Sequence, residues 1–451
     1  MSQKVKLRKG LNIPLKGKAE KVFEQSTSAV KSIALKPTDF NMLTPKPAIA
    51  EGDKVKAGDA VFFDKNHPEV KFTSPVSGTL KQIVRGDRRR ILAFVIEPDG
   101  QNESVKFEVA NPAKMGREKV VETLLNAGAW PLIKQRPYDI IANPSQTPKA
   151  IFVSGFDSAP LAPDYDFILS GQESDFQMGI DVLKVLTNGQ VHLSYNGAYP
   201  MSKIYSSVKG AEIHEFEGPH PAGNVGVQIN HIDPINKGEI VWTINPQDLL
   251  IIGRLFSKGV FDATKVIALT GSQVKAPKYY RTVLGANVAS ILAGNVEGDN
   301  NRIISGNVLT GTQIDANGYL GFFSNQITVI PEGNDYEFMG WAAPGFNKFS
   351  AGRTFFSWLM PKKEYEMNTN THGEPRAIVV SNQYDSVLPM DIYPEFLVKA
   401  IMAQDIDKME QLGIYEVIEE DLALCEFACT SKIQVQKILR NGLNLMYTEV
   451  G

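Results

Sequence analysis

EGDKVKAGDAVFF (residues 51–63) and FTSPVSGTLKQI (residues 72–83) carry the reading of the N-terminal fold. Apolar and polar residues alternate through both, and Gly-Asp pairs at Gly52 and Gly58 punctuate them. Alternation sends successive side chains to opposite faces of a strand, so each segment can bury one face. Short strands at this spacing predict a small sandwich or barrel over about residues 40–100.

Downstream the period changes. Residues 117–127 read as an amphipathic helix with Val120, Val121, Leu124 and Leu125 on one side, ended by Gly128. Residues 150–155 read as a buried strand, 173–186 as a helix and 191–195 as a second strand. Residues 211–216 add a strand candidate, and 245–256 a helix started by its Asn-Pro pair. Alternating strands and helices predict an α/β layer with a mainly parallel sheet. From about Asp262 the chain turns β-rich, with strands expected at 264–270, 302–309 and 326–330 in a compact α+β module. Residues 340–376 are turn-rich, with Pro344, Gly345, Gly352, Pro361, Gly373 and Pro375, as suits a linker or an arm laid on another surface. Apolar residues at helical spacing over 394–403, 405–412, 419–429 and 433–447 predict a helical C-terminal domain.

Composition narrows the function. The chain of 451 residues carries 47 Lys and Arg against 50 Asp and Glu, a net charge of −3. Such a balance supplies no global field for nucleic acid. Basic clusters at Lys4–Arg8–Lys9 and at Arg85–Arg88–Arg89–Arg90 read as solvated surface or as contacts for an acidic partner. No run approaches the roughly 20 apolar residues that span a bilayer, and the first 25 residues lack a signal-peptide core, so a soluble, cytoplasmic chain is expected. The two cysteines, Cys425 and Cys429, are too few for an iron–sulfur cluster, and in a helix they share one face. The six histidines, at 67, 192, 214, 220, 231 and 372, are scattered; His214, His220 and His231 group most closely but match no common metal spacing. No metal ligand set and no catalytic residue is expected. Phosphate-loop, dinucleotide, nucleophile-elbow and zinc-helix motifs are absent. After the first α/β helix, NAGAWPLIKQRP (residues 126–137) offers one glycine, Gly128, with Trp130 and Pro131 close behind. Backbone that approaches a phosphate needs glycines, and Trp and Pro fill that space.

The first two segments resemble the lipoyl- and biotinyl-carrier type of barrel-sandwich hybrid, in which a modifiable Lys sits at a hairpin tip. Here the tip is Asp64-Lys65-Asn66-His67-Pro68, without the flanking residues that modifying enzymes read. Three longer segments look like the A subunit of the sodium-translocating NADH:quinone reductase: HPAGNVGVQINHIDPINKGEIVWTINPQDLLIIGRLF (220–256), TKVIALTGSQVKAPKYYRTVLGA (264–286) and EEDLALCEFACTSKIQVQKILRNGLNLM (419–446). That family is similar in domain plan to the flavoprotein subunit of complex I and to the C subunit of ferredoxin:NAD oxidoreductase. Those relatives hold FMN on a GGAGFP-like loop and carry cluster cysteines. At the matching positions this chain has Ala127-Gly128-Ala129-Trp130-Pro131 and Cys425-Glu-Phe-Ala-Cys429.

The resemblance implies an α/β multidomain fold: an N-terminal segment with a barrel-sandwich hybrid over 1–110, a Rossmann-like α/β domain over 111–258, and a β-grasp module of the soluble-ligand-binding type over 259–335. A linker or docking arm over 336–376 and a helical domain without its cluster over 377–451 complete it. It further implies a translocase subunit that does not catalyse alone. The expected seat is the cytoplasmic face of a bacterial inner membrane, on the membrane subunits and especially the B subunit. The complex uses NADH, flavins, iron–sulfur and quinone, with none of these expected in this chain. Quinone contact is left open; Trp130, Trp341, Phe346, Phe349, Phe355 and Phe356 are candidates for it only as large side chains in loops, with core packing or partner contact as the default. The alternatives are an independent FMN-dependent NADH dehydrogenase, and a carrier scaffold modified at Lys65.

Overall fold

The computed structural model describes residues 2–25, 30–340 and 342–451; Trp341, one of the candidate aromatics, lies outside them. The N-terminal unit is two small sheets. Ile33–Leu35, Ile91–Pro98, Gly78–Arg85 and Lys54–Val55 form one, and Pro45–Pro47, Ala60–Asp64 and Lys71–Thr73 the other. Alternation in the sequence becomes a stack of rings between them: Phe62 lies flat between Phe72 at 4.3 Å and Phe94 at 4.7 Å. Lys65 is exposed at the hairpin after Ala60–Asp64.

The α/β unit is built on seven strands in the order Lys4–Lys6, Glu212–Glu217, Gln190–Asn196, Ala150–Ser154, Val241–Ile244, Lys134–Arg136, Ile140–Ile141. The first five run parallel; Lys134–Arg136 runs antiparallel to them and Ile140–Ile141 antiparallel to Lys134–Arg136. Parallel central strands are covered on both faces, which is why Ala150 to Val153 is apolar throughout and Val241–Ile244 is wholly buried. The helix Pro246–Lys258 starts as the Asn-Pro pair predicts, with the Asn245 side chain accepting the Gln247 N–H at 3.0 Å.

Two features differ from the sequence reading. Lys4–Lys6, placed with the sandwich, leaves it and pairs with Glu215–Glu217 at the sheet edge. The loop after Gly128 supplies the strands Lys134–Arg136 and Ile140–Ile141.

A five-stranded sheet orders Lys278–Val283, Thr264–Thr270, Gln326–Pro331, Asn301–Ser305 and Thr312–Ile314, with a parallel pair, Thr264–Thr270 and Gln326–Pro331, inside it. The helices Pro394–Met402, Ile406–Gln411, Glu419–Ala428 and Val435–Glu449 close the chain. Between the five-stranded sheet and these helices, the described residues of 336–376 hold one short 3-10 turn, Phe356–Leu359.

Candidate functional site

Ala150–Ser154 has Gln190–Asn196 on one side and Val241–Ile244 on the other, so the chain leaves the carboxyl ends of the two neighbours in opposite directions. Open α/β sheets bind ligands in the crevice at such a switch point. A cavity of about 670 Å3 lies there. Phe156, Asp157, Asn245 and Asp248 reach it from the strand ends, and Leu132, Lys134 and Arg136 from the loop and antiparallel strand. Lys36 and Asp39 enter from the N-terminal side, Phe322, Phe323 and Asn325 from the turn before the strand Gln326–Pro331, and Glu419, Glu420 and Arg440 from the helical unit. Every domain contributes a wall.

Those walls are charged but internally paired. Arg136, 1% exposed, donates to Asp421 Oδ2 and Glu420 Oε1, each at 2.6 Å. Lys134 Nζ lies 3.0 Å from Asp139 and 4.2 Å from the centre of the Phe323 ring. Lys265 pairs with the buried Asp248 at 2.7 Å and donates to the Phe322 carbonyl at 3.1 Å. Asp39 accepts the Phe322 N–H at 2.8 Å; burial pushes its carboxyl up against the pull of Lys36. Asp157 is pushed up by burial too, opposed by the Ala159 N–H that it accepts at 2.8 Å. Tyr165 Oη accepts from Asn245 at 2.9 Å and Asn325 at 3.0 Å, and burial raises its phenol. His220 has Ser158 Oγ at 3.0 Å from Nδ1, while its buried Nε2 meets no hydrogen-bond partner among the described residues. Burial drops this imidazole to about 4, so it is neutral near pH 7.

Few backbone donors near the cavity are free. The backbone donors of the loops around the site are spent inside the fold: Gly155 N–H on the Ser194 carbonyl, Ala159 N–H on Asp157, and Gly223 N–H on Ser158 Oγ. The start of the helix Pro246–Lys258, a natural anion seat, is capped by Asn245 and carries Asp248 in its first turn.

The degenerate loop is placed elsewhere than the phosphate-loop comparison suggests. Trp130 is fully buried, donates Nε1–H to the Ala142 carbonyl at 2.7 Å and stands edge-on to Trp242 at 5.4 Å. Pro131 is buried in the same turn. Neither side chain lines the cavity. Gly128 takes φ 70° at the helix end, where a Cβ would lie 2.2 Å from Thr73 Oγ1 of the sandwich. Its glycine is thus demanded by a cap and a domain contact.

Cys425 and Cys429 are buried in the helical unit; Tyr384 Oη donates to Cys429 Sγ at 2.9 Å, and burial pushes the Cys425 thiol up. Such thiols are poor nucleophiles and poor ligands. The histidines regroup: His214 meets His192 across neighbouring strands, His220 lines the cavity, and His231 Nδ1 donates to the Val227 carbonyl at 2.9 Å. Cross-strand register, invisible as spacing in the sequence, makes the first pairing. Of the candidate aromatics, Phe346 and Phe356 are exposed; Phe349 packs on Tyr365 and Phe427, and Phe355 is half-buried.

Fold and site together define a multidomain α/β protein whose sheet keeps a switch-point cavity shared by all its domains but lacks the phosphate loop of a nucleotide enzyme. Family models match in chain order: the NqrA N-terminal barrel-sandwich hybrid domain at residues 5–99, the NqrA second alpha/beta domain at 115–261 and the NQRA C-terminal domain at 266–316. Among curated proteins, the Na(+)-translocating NADH-quinone reductase A subunit of Serratia proteamaculans is 39% identical over 450 residues, 99% of this chain and all of that one. The A subunits of Neisseria meningitidis serogroup B, at 39%, and Yersinia pestis bv. Antiqua, at 37%, match over the same shares. The chain belongs to the family of the Na(+)-translocating NADH-quinone reductase A subunit, and so is one component of a translocase complex. Among solved structures, an NAD+-reducing [NiFe]-hydrogenase in the air-oxidized state is 10% identical, covering 75% of this chain and 64% of that one at a TM-score of 0.39. The H2-reduced state gives 0.37 at 12% identity, over 49% and 48%.

Proposed function

We propose that this chain is the peripheral docking subunit of the reductase on the cytoplasmic face. It holds to the membrane subunits, the B subunit foremost, through the arm of residues 336–376, without a flavin or cluster of its own. The observation that carries this reading is where large apolar side chains meet solvent. Tyr336 and Phe338 are essentially fully exposed, and Met339, Phe346, Phe356, Trp358 and Leu359 about half so, within one short stretch of little regular structure. Exposed apolar surface gathered this way marks an interaction site, and aromatic anchors supply most of the energy of such contacts. None of the helices among the described residues is long and apolar enough to cross a membrane. The test is co-purification. Phe338→Asp with Trp358→Asp should leave the isolated chain folded and abolish its recovery with the membrane subunits. Recovery at the wild-type level would refute the docking role.

The cavity favours a second role beside docking, contact with the quinone ring. Phe156, Phe322 and Phe323 offer ring surface, and His220 Nε2, which has no hydrogen-bond partner among the described residues, offers a polar contact. A photoreactive quinone should label cavity peptides in the intact complex; labelling confined to other subunits would remove this role.

A further inference from the structure

We propose that His192, Glu212 and His214 form a binding site for a divalent transition-metal ion of the zinc class, a site whose occupancy is coupled to the seating of the N-terminal strand. Glu212 and His214 stand two residues apart on one face of Glu212–Glu217, and His192 is the register partner of Glu212 on the neighbouring parallel strand. The backbone of two paired strands therefore aims all three side chains at one point. One ligand atom from each lies within 4.8 Å of the others, with His192 Nδ1 2.9 Å from His214 Nε2 and 3.8 Å from Glu212 Oε2. Ligands about 2.0–2.2 Å from one ion sit at roughly this mutual spacing, and two imidazoles with one carboxylate leave the fourth tetrahedral position open. His192 stacks on Phe152 at 4.6 Å, which fixes its ring. Burial holds both imidazoles below the usual histidine value. The rings are buried while the Glu212 side chain stays 30% exposed, so entry is from the Glu212 side.

Binding displaces contacts at two ligands: the Glu212 carboxylate, which already has a partner of its own, and His214. Gln3 N–H donates to His214 Nδ1 at 3.1 Å. A neutral His214 that accepts there carries its proton on Nε2 and gives it to His192 Nδ1. A metal on Nε2 takes the place of that proton, which returns through solvent to Nδ1; no net proton is released. Nδ1–H then faces the Gln3 N–H donor to donor, and Gln3 must leave. Gln3 directly precedes the edge strand Lys4–Lys6, so filling the site loosens that strand.

The test is titration of the full-length chain with Zn2+, and with Co2+ as a spectroscopic stand-in, alongside hydrogen exchange of the peptide containing Gln3. The expected result is one saturable site with the strong visible absorption of tetrahedral Co2+. Affinity should fall about tenfold or more in Glu212→Gln, vanish in His192→Gln and His214→Gln, and stay unchanged in the controls His67→Gln and His372→Gln. Exchange at Gln3 should quicken on metal addition. Glu212→Gln changes a partly exposed side chain, so the test survives if the buried histidine variants misfold. Absence of saturable binding, or binding unchanged in Glu212→Gln, would overturn the site. Slower exchange at Gln3 with metal bound would overturn the coupling.

Discussion

Replacing Arg136 with Met should detach the helical C-terminal unit from the α/β sheet. Arg136 is 1% exposed, and its two terminal nitrogens hold Asp421 and Glu420 at 2.6 Å each. Asp421 is fully buried, and its other partner is the Ile418 N–H at 3.0 Å. Without the guanidinium its carboxylate is a buried charge with one hydrogen bond. Removing one partner of a buried pair costs about 3–5 kcal/mol, mostly for the charge left behind. Glu420, 38% exposed, keeps water and adds little. Over 451 residues the unfolding entropy is about 0.9 kcal/mol/K, so a concerted transition should shift down by roughly 3–5 °C. Because Arg136 lies on a sheet strand and Asp421 on the helix Glu419–Ala428, the loss is local to one interface. Thermal melts should therefore be read with hydrogen exchange, which should quicken first in residues 419–449. Arg136→Met with Asp421→Leu removes both charges and should recover most of the loss. A single variant within about 1 °C of wild type, or a double variant less stable than the single, would refute the reasoning.

Other expectations follow from the same geometry. Gly226→Ala should destabilise by about 1–3 kcal/mol in denaturant melts, because its Cβ would stand 2.3 Å from Arg136 Nη1 and Asp421 Oδ1; the effect should be less than additive with Arg136→Met. Trp130→Ala should cost about 3–5 kcal/mol and leave the visible absorbance flat, since that indole fills a core beside Trp242 and not the cavity. Stability should fall on acidification through His220. Burial lowers its folded value to about 4 from an ordinary 6.5, so below pH 6.5 the unfolded chain binds a proton that the folded chain refuses. The contribution is full above pH 6.5, shrinks down to about pH 4 and amounts to about 3 kcal/mol; His220→Gln should flatten that part of the profile.

Elements with a clean period were legible from the residues alone. The helices Arg117–Ala127 and Glu173–Leu186 and the strand Thr264–Thr270 fall where apolar spacing put them, since each buries one face or lies wholly inside. Lys278–Val283 was not read as a strand because Lys278 and Arg281 interrupt its aromatics; its place against Thr264–Thr270 comes from tertiary pairing. Lys4–Lys6 is three residues of mixed charge, too short for any period, and becomes a strand only because the edge of Glu212–Glu217 is free to take it. The site was half legible. Gly128, Trp130 and Pro131 sit at the contact with the sandwich and in the core beside it, and Trp130 and Pro131 do not line the switch-point cavity. Residues that do line it, such as Asp39, Arg136, Asn245, Phe322 and Arg440, come from every domain and share no spacing that a linear reading could detect.

Cross-linking of the assembled complex bears most directly on the docking claim. Lys348, Lys362 and Lys363 lie in the arm, and amine-reactive cross-links from them should reach the membrane subunits, the B subunit above all, while amine labelling of the arm falls on assembly. Arm lysines that label equally in the free and assembled chain, with the inter-subunit cross-links rising instead from the helical unit or the sandwich, would contradict it.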